Sequence, residues 1–513
     1  MQATFDRDSG MPLYNQLAQE IARQIASGQL TPGQRLGAVA AMASELGVAQ
    51  STIRRALAEL ADAGLVTKHV GRGTFVADTR RGEKDSPAAP PPGPAGRGRQ
   101  FEPPPAVEAS AAARKCRMGA SRILDLLMAL ASRPGMIRFT AGVPAPGTVR
   151  DGLLQQAAGD LLKTGQEPYL DYGPPGGLPE LREAVARLLR SDGADISAGN
   201  VLITHGSRQA AFLLAMHARE ESRSVLVETP CDAGIPGAFG AAGHWVRTID
   251  RDDEGPLPES VAAATGGGPA LLHLCPQLHN PTGTDLRPLR RKALAAILKQ
   301  RPTLVVADES YRGMHLGASS PASLLTDFGL DRTAVIGSLS KSLACGLRIG
   351  WLVAGAERIR SVLSLKRAID LGCPPLMQAI AARLLQTGEY LDHLRRIRRL
   401  YQIRRDATLQ ALRRHMPDGV TWTTPDGGFQ LWLTLPEGYS SLTLFLMAVE
   451  RGVAFVPGPQ HDVDHRFVHC LRLAYGSLRP ERIEEGIRLL AEATRELLRQ
   501  RPTEGLDAWT DLP

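Results

Sequence analysis

Five side chains in three short motifs have the types and spacing of a single chemistry. Lys341 follows the apolar run AVIGSLS, Asp308 and Tyr311 lie in VVADESY, Asn280 lies in HNPTG, and Arg348 ends KSLACGLR. A lysine amine condenses with an aldehyde, and a carboxylate keeps a pyridine nitrogen protonated so that the ring accepts electrons. The set therefore predicts a pyridoxal phosphate site in which Lys341 forms the Schiff base and Asp308 pairs with the ring nitrogen.

Each motif, taken alone, also has an ordinary structural explanation. A strand-end aspartate is often a helix cap, NPTG is often only a turn, and an isolated lysine is usually a solvated charge. Lys341 differs from a surface lysine because it follows an apolar strand and precedes the Gly-Leu-Arg triplet at 346–348. The combination of motifs favours a cofactor site.

The scaffold that must hold these residues is indicated by apolar runs that alternate with helical stretches. The runs are VLITHG, SVLVETP, ALLHLCP, TLVVADES and AVIGSLS. This alternation is typical of an α/β fold in which helices cover a mostly parallel sheet. Beyond Leu363 long Arg-rich helices are followed by GGFQLWLTL, VAFVPG and HCLRLAY, which predicts a smaller α+β lobe.

The N-terminal part of the chain has the pattern of a small helical unit with a hairpin. Apolar residues recur at helical spacing in 12–28, and 49–63 is a second amphipathic stretch that we interpret as a recognition helix. Its outward-facing residues are Gln50, Ser51, Thr52, Arg54 and Arg55. The segment LVTKHVGRGTFV at 65–76 predicts a hairpin with Arg72 at its basic tip.

Length and composition indicate several soluble domains. The 513 residues exceed one ordinary core, and 43% hydrophobic with 22% charged residues is typical of globular proteins. Because we find neither a bilayer-length apolar run nor an N-terminal signal core, we expect a cytoplasmic protein without membrane contact. The six cysteines lack CxxC pairing, which predicts no metal site. The net charge of +7 permits nucleic-acid binding without demonstrating it.

The block 12–76 resembles the winged helix-turn-helix of the GntR regulators, most plainly in ELGVAQSTIRRALAELADAGLV and GRGTFV. The resemblance implies binding to a double-stranded DNA operator. The expected DNA contacts are Arg35, Gln50, Ser51, Thr52, Arg54, Arg55 and Arg72. One departure is the stretch 37–40, which lacks the family's Pro-Ser cap and nearby arginine. A lost cap and one fewer phosphate contact predict weaker DNA binding.

Residues 136–494 resemble the fold-type I, class I aminotransferases, which use pyridoxal phosphate. The resemblance implies that Asn280 and Tyr311 meet the phenolic oxygen of the cofactor. Arg472, in HCLRLAYGSL, would fork onto a substrate or effector carboxylate. The residues expected at the phosphate are Ser207, Arg208, Gln209, Ser338, Ser340, Arg348 and, from the neighbouring subunit, Tyr172.

Two positions depart from the aminotransferase pattern. Asp232 stands where the family commonly has an aromatic residue stacked over the cofactor ring, and Cys345 replaces the usual proline before Gly346. A carboxylate cannot stack on the ring. These departures weigh against efficient turnover more than against cofactor binding.

The whole arrangement resembles the MocR-type regulators within the GntR family. The expected domains are a winged helix-turn-helix at 1–78, a Pro/Ala/Gly-rich linker at 79–118 and an aminotransferase-like domain at 119–500. The large lobe would span 136–370, and the small lobe 371–500 plus the N-terminal segment. The resemblance implies a homodimer, commonly with the DNA-binding unit of one chain over the cofactor domain of the other.

Three functions remain open at this point. The first is a transcription regulator that senses pyridoxal phosphate, or an amino compound, through aldimine chemistry at Lys341. The second is an active aminotransferase with an accessory DNA-binding domain, since Lys341, Asp308 and Arg472 would serve catalysis equally well. The third is a cofactor domain that only dimerises. The effector and the operator sequence do not follow from the residues.

Overall fold

The computed structural model describes parts of 16–76, and 129–502 except for 146, 164, 318 and 319. The chain divides into two compact units, 1–102 and 103–513. The predicted linker at 79–118 lies outside the described residues, so its bounds stay a prediction. Within the described residues, no helix combines the length and the apolar character needed to span a bilayer.

The N-terminal unit is a small helical core closed by a hairpin. Helix α1 covers Val39–Leu46, and strands β1 (Val66–His69) and β2 (Gly73–Val76) pair antiparallel, as predicted for the wing. The predicted inward face of 49–63 is buried at Ile53, Leu57 and Leu60. Ala38 precedes α1 and makes no side-chain cap bond, which agrees with the missing hydroxyl in the sequence.

The large lobe of the second unit contains an eight-stranded sheet in the order β4-β11-β10-β9-β8-β5-β6-β7. The strands from β10 to β6 run parallel, and β11 is antiparallel to both of its neighbours. The strands are β4 (Val201–Thr204), β5 (Ser224–Thr229), β6 (Trp245–Asp252), β7 (Gly255–Pro256), β8 (Ala270–Leu274), β9 (Thr303–Asp308), β10 (Thr333–Ser338) and β11 (Gly350–Val353).

Both faces of this sheet are buried, which explains why its strands read as continuous apolar runs. Along β9, Val305 and Ala307 pack into one apolar cluster and Val306 into the other. Such two-sided burial is usual for parallel strands covered by helices. The helices of this lobe are α2 (Leu153–Lys163), α3 (Pro179–Arg190), α4 (Ser207–Ala218), α5 (Gly234–Ala241), α6 (Pro258–Ala264), α7 (Pro288–Leu298), α8 (Leu325–Arg332) and α9 (Ala356–Ile369).

The small lobe is α+β, as predicted. Its four-stranded antiparallel sheet has the order β12-β13-β16-β15, and β14 pairs parallel with β3 from the N-terminal segment. Its strands are β3 (Ile137–Arg138), β12 (Thr421–Trp422), β13 (Gln430–Thr434), β14 (Val453–Ala454), β15 (Val456–Pro457) and β16 (Cys470–Ala474). Helix α10 (Pro375–Gln386) packs on α2 and α3 of the large lobe, and the helices of the small lobe are α11 (Glu389–His415), α12 (Ser441–Glu450) and α13 (Pro480–Arg499).

Short 3₁₀ helices occupy several turns of the second unit. They are Glu167–Tyr169, Ala198–Asn200, Thr265–Gly267, Cys345–Leu347 and Gly458–His461. Two of them bear on the site described next. Cys345–Leu347 follows the lysine motif, and Gly458–His461 ends beside the loop after β5, where the His461 carbonyl accepts from the Cys231 amide at 2.7 Å.

Candidate cofactor site

The loops after β4, β5, β8, β9 and β10 leave the same edge of the large sheet and enclose a cavity of about 230 Å³. Carboxyl ends of parallel strands are the usual place for a ligand in such folds. The predicted site residues that line this cavity are Ser207, Arg208, Asn280, Asp308, Tyr311, Ser340, Lys341 and Arg348. The structure therefore brings together residues that lie up to 141 positions apart.

Lys341 lies just after β10 and is half-buried against the backbone at Gly142. Its Nζ donates a hydrogen bond to the Gly142 carbonyl oxygen at 2.6 Å and lies 5.8 Å from the centroid of the Tyr311 ring. Burial lowers the pKa of Lys341, while the Asp232 carboxylate opposes that shift. A lowered pKa increases the fraction of neutral amine, which is the form that attacks a carbonyl group.

Asp308 ends β9 on the floor of the cavity. One carboxylate oxygen accepts the Ser310 amide at 3.0 Å, and the other lies 3.8 Å from His273 Nε2, beyond hydrogen-bond range. A carboxylate offers about four acceptor positions, so Asp308 keeps capacity for a protonated pyridine nitrogen. His273 is buried on β8, and its Nε2 has no hydrogen-bond partner among the described residues.

Asn280 lies between an acidic and a basic side chain of the site, Asp232 and Arg472, and hydrogen-bonds to both. Its Nδ2 donates to Asp232 Oδ2 at 2.8 Å, and its Oδ1 accepts from Arg472 at 3.1 Å. Arg472 uses a second nitrogen to donate to the Thr140 carbonyl oxygen at 3.0 Å. Asp232 also accepts the Gly234 amide at 2.8 Å, which caps the start of α5. Where the family commonly has an aromatic ring, this chain therefore has the Asp232 carboxylate, which accepts a hydrogen bond from Asn280.

Asp232 is held in its charged form. Its burial acts to raise the pKa, but Arg208 and Lys341 together with the Gly234 amide outweigh burial, and the pKa of Asp232 is lowered. The Arg208 guanidinium lies 3.4 Å from Asp232 Oδ1 at the cavity mouth. The cavity therefore has an anionic wall at the point where the family commonly has an aromatic one.

The turn before α4 has the properties of a phosphate-binding helix start. Gly206 has φ +91, and a Cβ atom there would lie 3.0 Å from the Arg348 guanidinium. That guanidinium donates to the His205 carbonyl oxygen at 2.5 Å and lies 3.5 Å from Ser340 Oγ. The first turn of α4, which begins at Ser207, contains no acidic residue. Helix-start amides beside a guanidinium attract a dianion, so the site fits the cofactor phosphate.

Other predicted cofactor residues lie outside the cavity lining. The Ser338 hydroxyl donates to the Ile349 carbonyl oxygen at 3.2 Å, and the side chain of Gln209 bonds to His205 and Asp370. Tyr172 is 80% exposed, as a residue directed at a neighbouring subunit would be in a single chain. Arg472 is buried, and burial lowers its pKa. The roles given to these residues stay predictions.

The predicted DNA contacts are described only in part. Arg35 and Gln50 are exposed and Thr52 is half-buried, and Arg35 forms a backbone bridge with Phe75 of the wing. The side chains of Ser51, Arg54, Arg55 and Arg72 lie outside the described residues. Their contacts with DNA remain predictions.

The structure adds polar residues that sequence reasoning did not single out. Glu228, at the end of β5, is buried and lies 3.2 Å from Arg251, and burial raises the pKa of its carboxyl. His461 donates from Nδ1 to the Cys231 carbonyl oxygen at 2.9 Å, and burial and Arg472 lower its pKa to about 3. Glu228 could have been noticed in the sequence, because it is a charged residue within the otherwise apolar strand SVLVET.

Comparisons with known proteins agree with this architecture. Residues 134–490 match the family described as aminotransferase class I and II, and residues 13–76 match the bacterial regulatory proteins of the gntR family. A 2-aminoadipate transaminase of Thermus thermophilus is 36% identical over 74% of this chain and 96% of its own. A multiple substrate aminotransferase from Thermococcus profundus superimposes with a TM-score of 0.70 at 30% identity, over 73% of this chain and 95% of its own.

Relatives with both parts cover nearly the whole chain. A probable rhizopine catabolism regulatory protein, MocR, of Rhizobium meliloti is 27% identical over 95% of each chain. An uncharacterized HTH-type transcriptional regulator of Bacillus subtilis, YdfD, is 27% identical over 95% of this chain and 97% of its own.

The fold and the site define a class I and II aminotransferase domain, and the chain belongs to that family. With its gntR-family DNA-binding domain and its two-part relatives, it is a MocR-type transcription regulator that uses pyridoxal phosphate. The predicted fold class and cofactor are confirmed.

Proposed function

We propose that the protein senses an amino compound, or pyridoxal phosphate itself, at Lys341 and changes its binding to an operator in response. The observation that supports this most directly is the half-buried Lys341 amine, which shares one cavity with Asp308, Asn280 and Tyr311. When bound, pyridoxal phosphate supplies an aldehyde that condenses with amines. Lys341 Nζ is the amine that would hold this aldehyde, and an effector amine would have to replace it.

The remaining residues take roles that follow from their chemistry. Asp308 would hold the ring nitrogen in its protonated form, and Asn280 and Tyr311 would donate to the phenolic oxygen. Burial raises the pKa of Tyr311, so its hydroxyl keeps its proton as a donor. The phosphate would be held by Ser207, Arg208, Ser340 and Arg348.

Arg472 gives the effector its second anchor. A planar guanidinium that already spans Asn280 and Thr140 presents a rigid fork that suits a carboxylate. We infer an effector with an amine and a carboxylate or similar anion. A homodimer would place two DNA-binding units on one operator, in the cytoplasm where bacterial DNA is held. The effector can shift the operator-binding arrangement only by binding one conformation more tightly than another.

Replacing the lysine tests this proposal. The variant Lys341→Ala is expected to bind operator DNA as the wild-type protein does in the absence of effector, and to lose the effector-dependent change in affinity. Lys292→Ala, at an exposed lysine on α7, is the matched control and should respond as wild type. The measurement is DNA binding by fluorescence anisotropy across a panel of amino acids and amines. An unchanged response of Lys341→Ala would refute the role of that residue.

A second candidate function is amino-group transfer with turnover. It is favoured by the 36% identity to a transaminase and by a cavity that places the same lysine, aspartate and asparagine together. Multiple turnovers with an oxo-acid acceptor would support an enzyme. A single half-reaction that stops after one equivalent, combined with a change in DNA affinity, would support the sensor.

A further inference from the structure

A partly buried polar network adjoins the phosphate turn, outside the cavity. Asp370, at the end of α9, accepts hydrogen bonds from Lys366 Nζ and from the Gly372 amide, the latter at 2.9 Å. Its other oxygen accepts from Gln209 Nε2 at 2.6 Å. The Oε1 atom of Gln209 in turn accepts the His205 amide at 2.8 Å. The network therefore runs from the end of α9 to the turn that precedes α4.

The charges in this network are costly unless they are paired. The side chain of Lys366 has 0% exposure, and a buried ammonium requires a partner to stay charged. An aspartate at a helix C-terminus is itself disfavoured by the helix dipole. Burial acts to raise the pKa of Asp370, but Lys366 and Gln209 outweigh it and the pKa is lowered. Asp370 is thus charged, and its hydrogen bonds with Lys366 and Gln209 stabilise that charge at the end of α9.

The turn before α4, at the other end of the network, is held by hydrogen bonds to both the amide and the carbonyl group of His205. Gln209 binds the amide of His205, and Arg348 donates to the carbonyl of the same residue at 2.5 Å. A Cβ atom on Gly350 would approach Gly206 Cα to 2.5 Å, so the turn also packs directly on β11. With the peptide groups around His205 fixed in this way, the orientation of the amides at the start of α4 is fixed as well.

The network also reaches the segment that follows α9. The segment 370–375 joins α9 to α10. A Cβ atom on Gly372 would lie 3.5 Å from the Gly173 carbonyl oxygen, and one on Gly173 would lie 3.0 Å from Pro375. The connection therefore packs on the loop that carries Tyr172, the residue that family resemblance directs to the neighbouring subunit.

We propose that Asp370 and Gln209 are positioning residues that hold the phosphate-binding turn and couple its occupancy to the segment 370–375. This inference rests on the proposed phosphate role of the turn. Neither side chain needs to touch the cofactor. Gln209, which the sequence suggested as a direct phosphate ligand, acts here through the His205 amide.

The test compares two aldehydes that differ only in the phosphate. Gln209→Ala removes the hydrogen bonds from Gln209 to Asp370 and His205 but leaves the Lys366–Asp370 pair and the contact of the His205 side chain with the Gly372 backbone intact, so it is a safer variant than Asp370→Ala. We expect it to bind pyridoxal phosphate about tenfold more weakly than wild type, the size of one lost hydrogen-bond contribution. Its affinity for pyridoxal, which lacks the phosphate, should change by less than about twofold on the same basis. Gln386→Ala, on α10, is the matched control.

The possible results separate the two proposals. If the wild-type protein binds both aldehydes equally well, the phosphate assignment of the turn is wrong. If wild type prefers pyridoxal phosphate and Gln209→Ala keeps that preference, or loses affinity for both aldehydes equally, the positioning role is wrong. Asp370→Asn should show the same selective loss as Gln209→Ala.

Hydrogen exchange tests the coupling. In the wild-type protein, saturation with pyridoxal phosphate should slow amide exchange in 370–376, whereas saturation with pyridoxal should not. In Gln209→Ala, saturation with pyridoxal phosphate should slow exchange in that segment less than in the wild type, because only the contact of His205 with the Gly372 backbone remains. Equal protection in the variant and the wild type would overturn the coupling.

Discussion

Arg348 combines a strained backbone with a functional side chain, and the two contributions can be separated. It has φ 53 and ψ 37, a left-handed conformation that costs a residue with a Cβ about 1–2 kcal/mol. Glycine removes that strain but adds about 0.5–1 kcal/mol of unfolded-state entropy. We therefore expect cofactor-free Arg348→Gly to be more stable than Arg348→Ala by about 0.5–1 kcal/mol.

Both variants lose the same guanidinium, so their losses of cofactor affinity should be equal. A hydrogen bond to a charged group contributes about 1.5–3 kcal/mol, which corresponds to a loss of about 10- to 150-fold for pyridoxal phosphate. Urea unfolding of the cofactor-free protein gives the stabilities, and a cofactor titration gives the affinities. Two outcomes would refute the reasoning: unequal affinities of the two variants, or an alanine variant that is the more stable.

A matched control is available at Arg358, inside helix α9. There the backbone is helical, so Arg358→Gly should be less stable than Arg358→Ala by about 1 kcal/mol, the reverse order. Neither change should alter cofactor affinity, because Arg358 does not line the cavity. The opposite sign at the two positions isolates the effect of the left-handed backbone.

Three further predictions concern other parts of the molecule. Ala38→Ser should supply the missing cap of α1 and stabilise the N-terminal unit by about 1 kcal/mol, seen as a higher Tm of its unfolding transition. The pKa of His461 is about 3 in the folded protein and about 6.5 in the unfolded chain. Because the unfolded chain takes up the proton first, the folded protein loses stability as pH falls below about 6.5. Between pH 7 and 5 the wild type should lose about 2 kcal/mol more than His461→Phe in urea titrations; parallel pH profiles would contradict this. Arg472→Lys should weaken the binding of amines that carry a carboxylate at least about tenfold, because one ammonium group cannot replace the planar guanidinium fork. The affinity for amines without a carboxylate should not change; spectral titrations measure both.

The parts of the site that could be predicted from sequence are those that follow a strand directly. Lys341, Asp308 and Asn280 stand at fixed distances after apolar runs, and parallel strands deliver such residues to one edge of a sheet. The small lobe was predicted in the same way, from strands with their own local pattern. Local pattern was sufficient because each of these residues is positioned by the element next to it in the chain.

The partly buried polar network could not be found in that way. Gln209 and Asp370 are 161 positions apart, and no local period relates two polar residues that meet only in the folded chain. The sequence did contain one indication of this network, at Lys366. Ile359, Val362 and Lys366 lie on one face of α9, so a cation occupies a position where the helical pattern predicts an apolar residue. A polar residue on a buried face requires a partner, although the sequence does not say which one.

Two chain segments outside the cavity lining are tied to the cofactor site, and this bears on how a ligand could act. The backbone before α2 accepts hydrogen bonds from Lys341 at Gly142 and from Arg472 at Thr140. The segment 370–375 is tied to the phosphate turn through Asp370. A ligand shifts a conformational equilibrium only through contacts that differ between the states. These contacts are therefore the ones through which a ligand at Lys341, Arg472 or the turn could shift such an equilibrium.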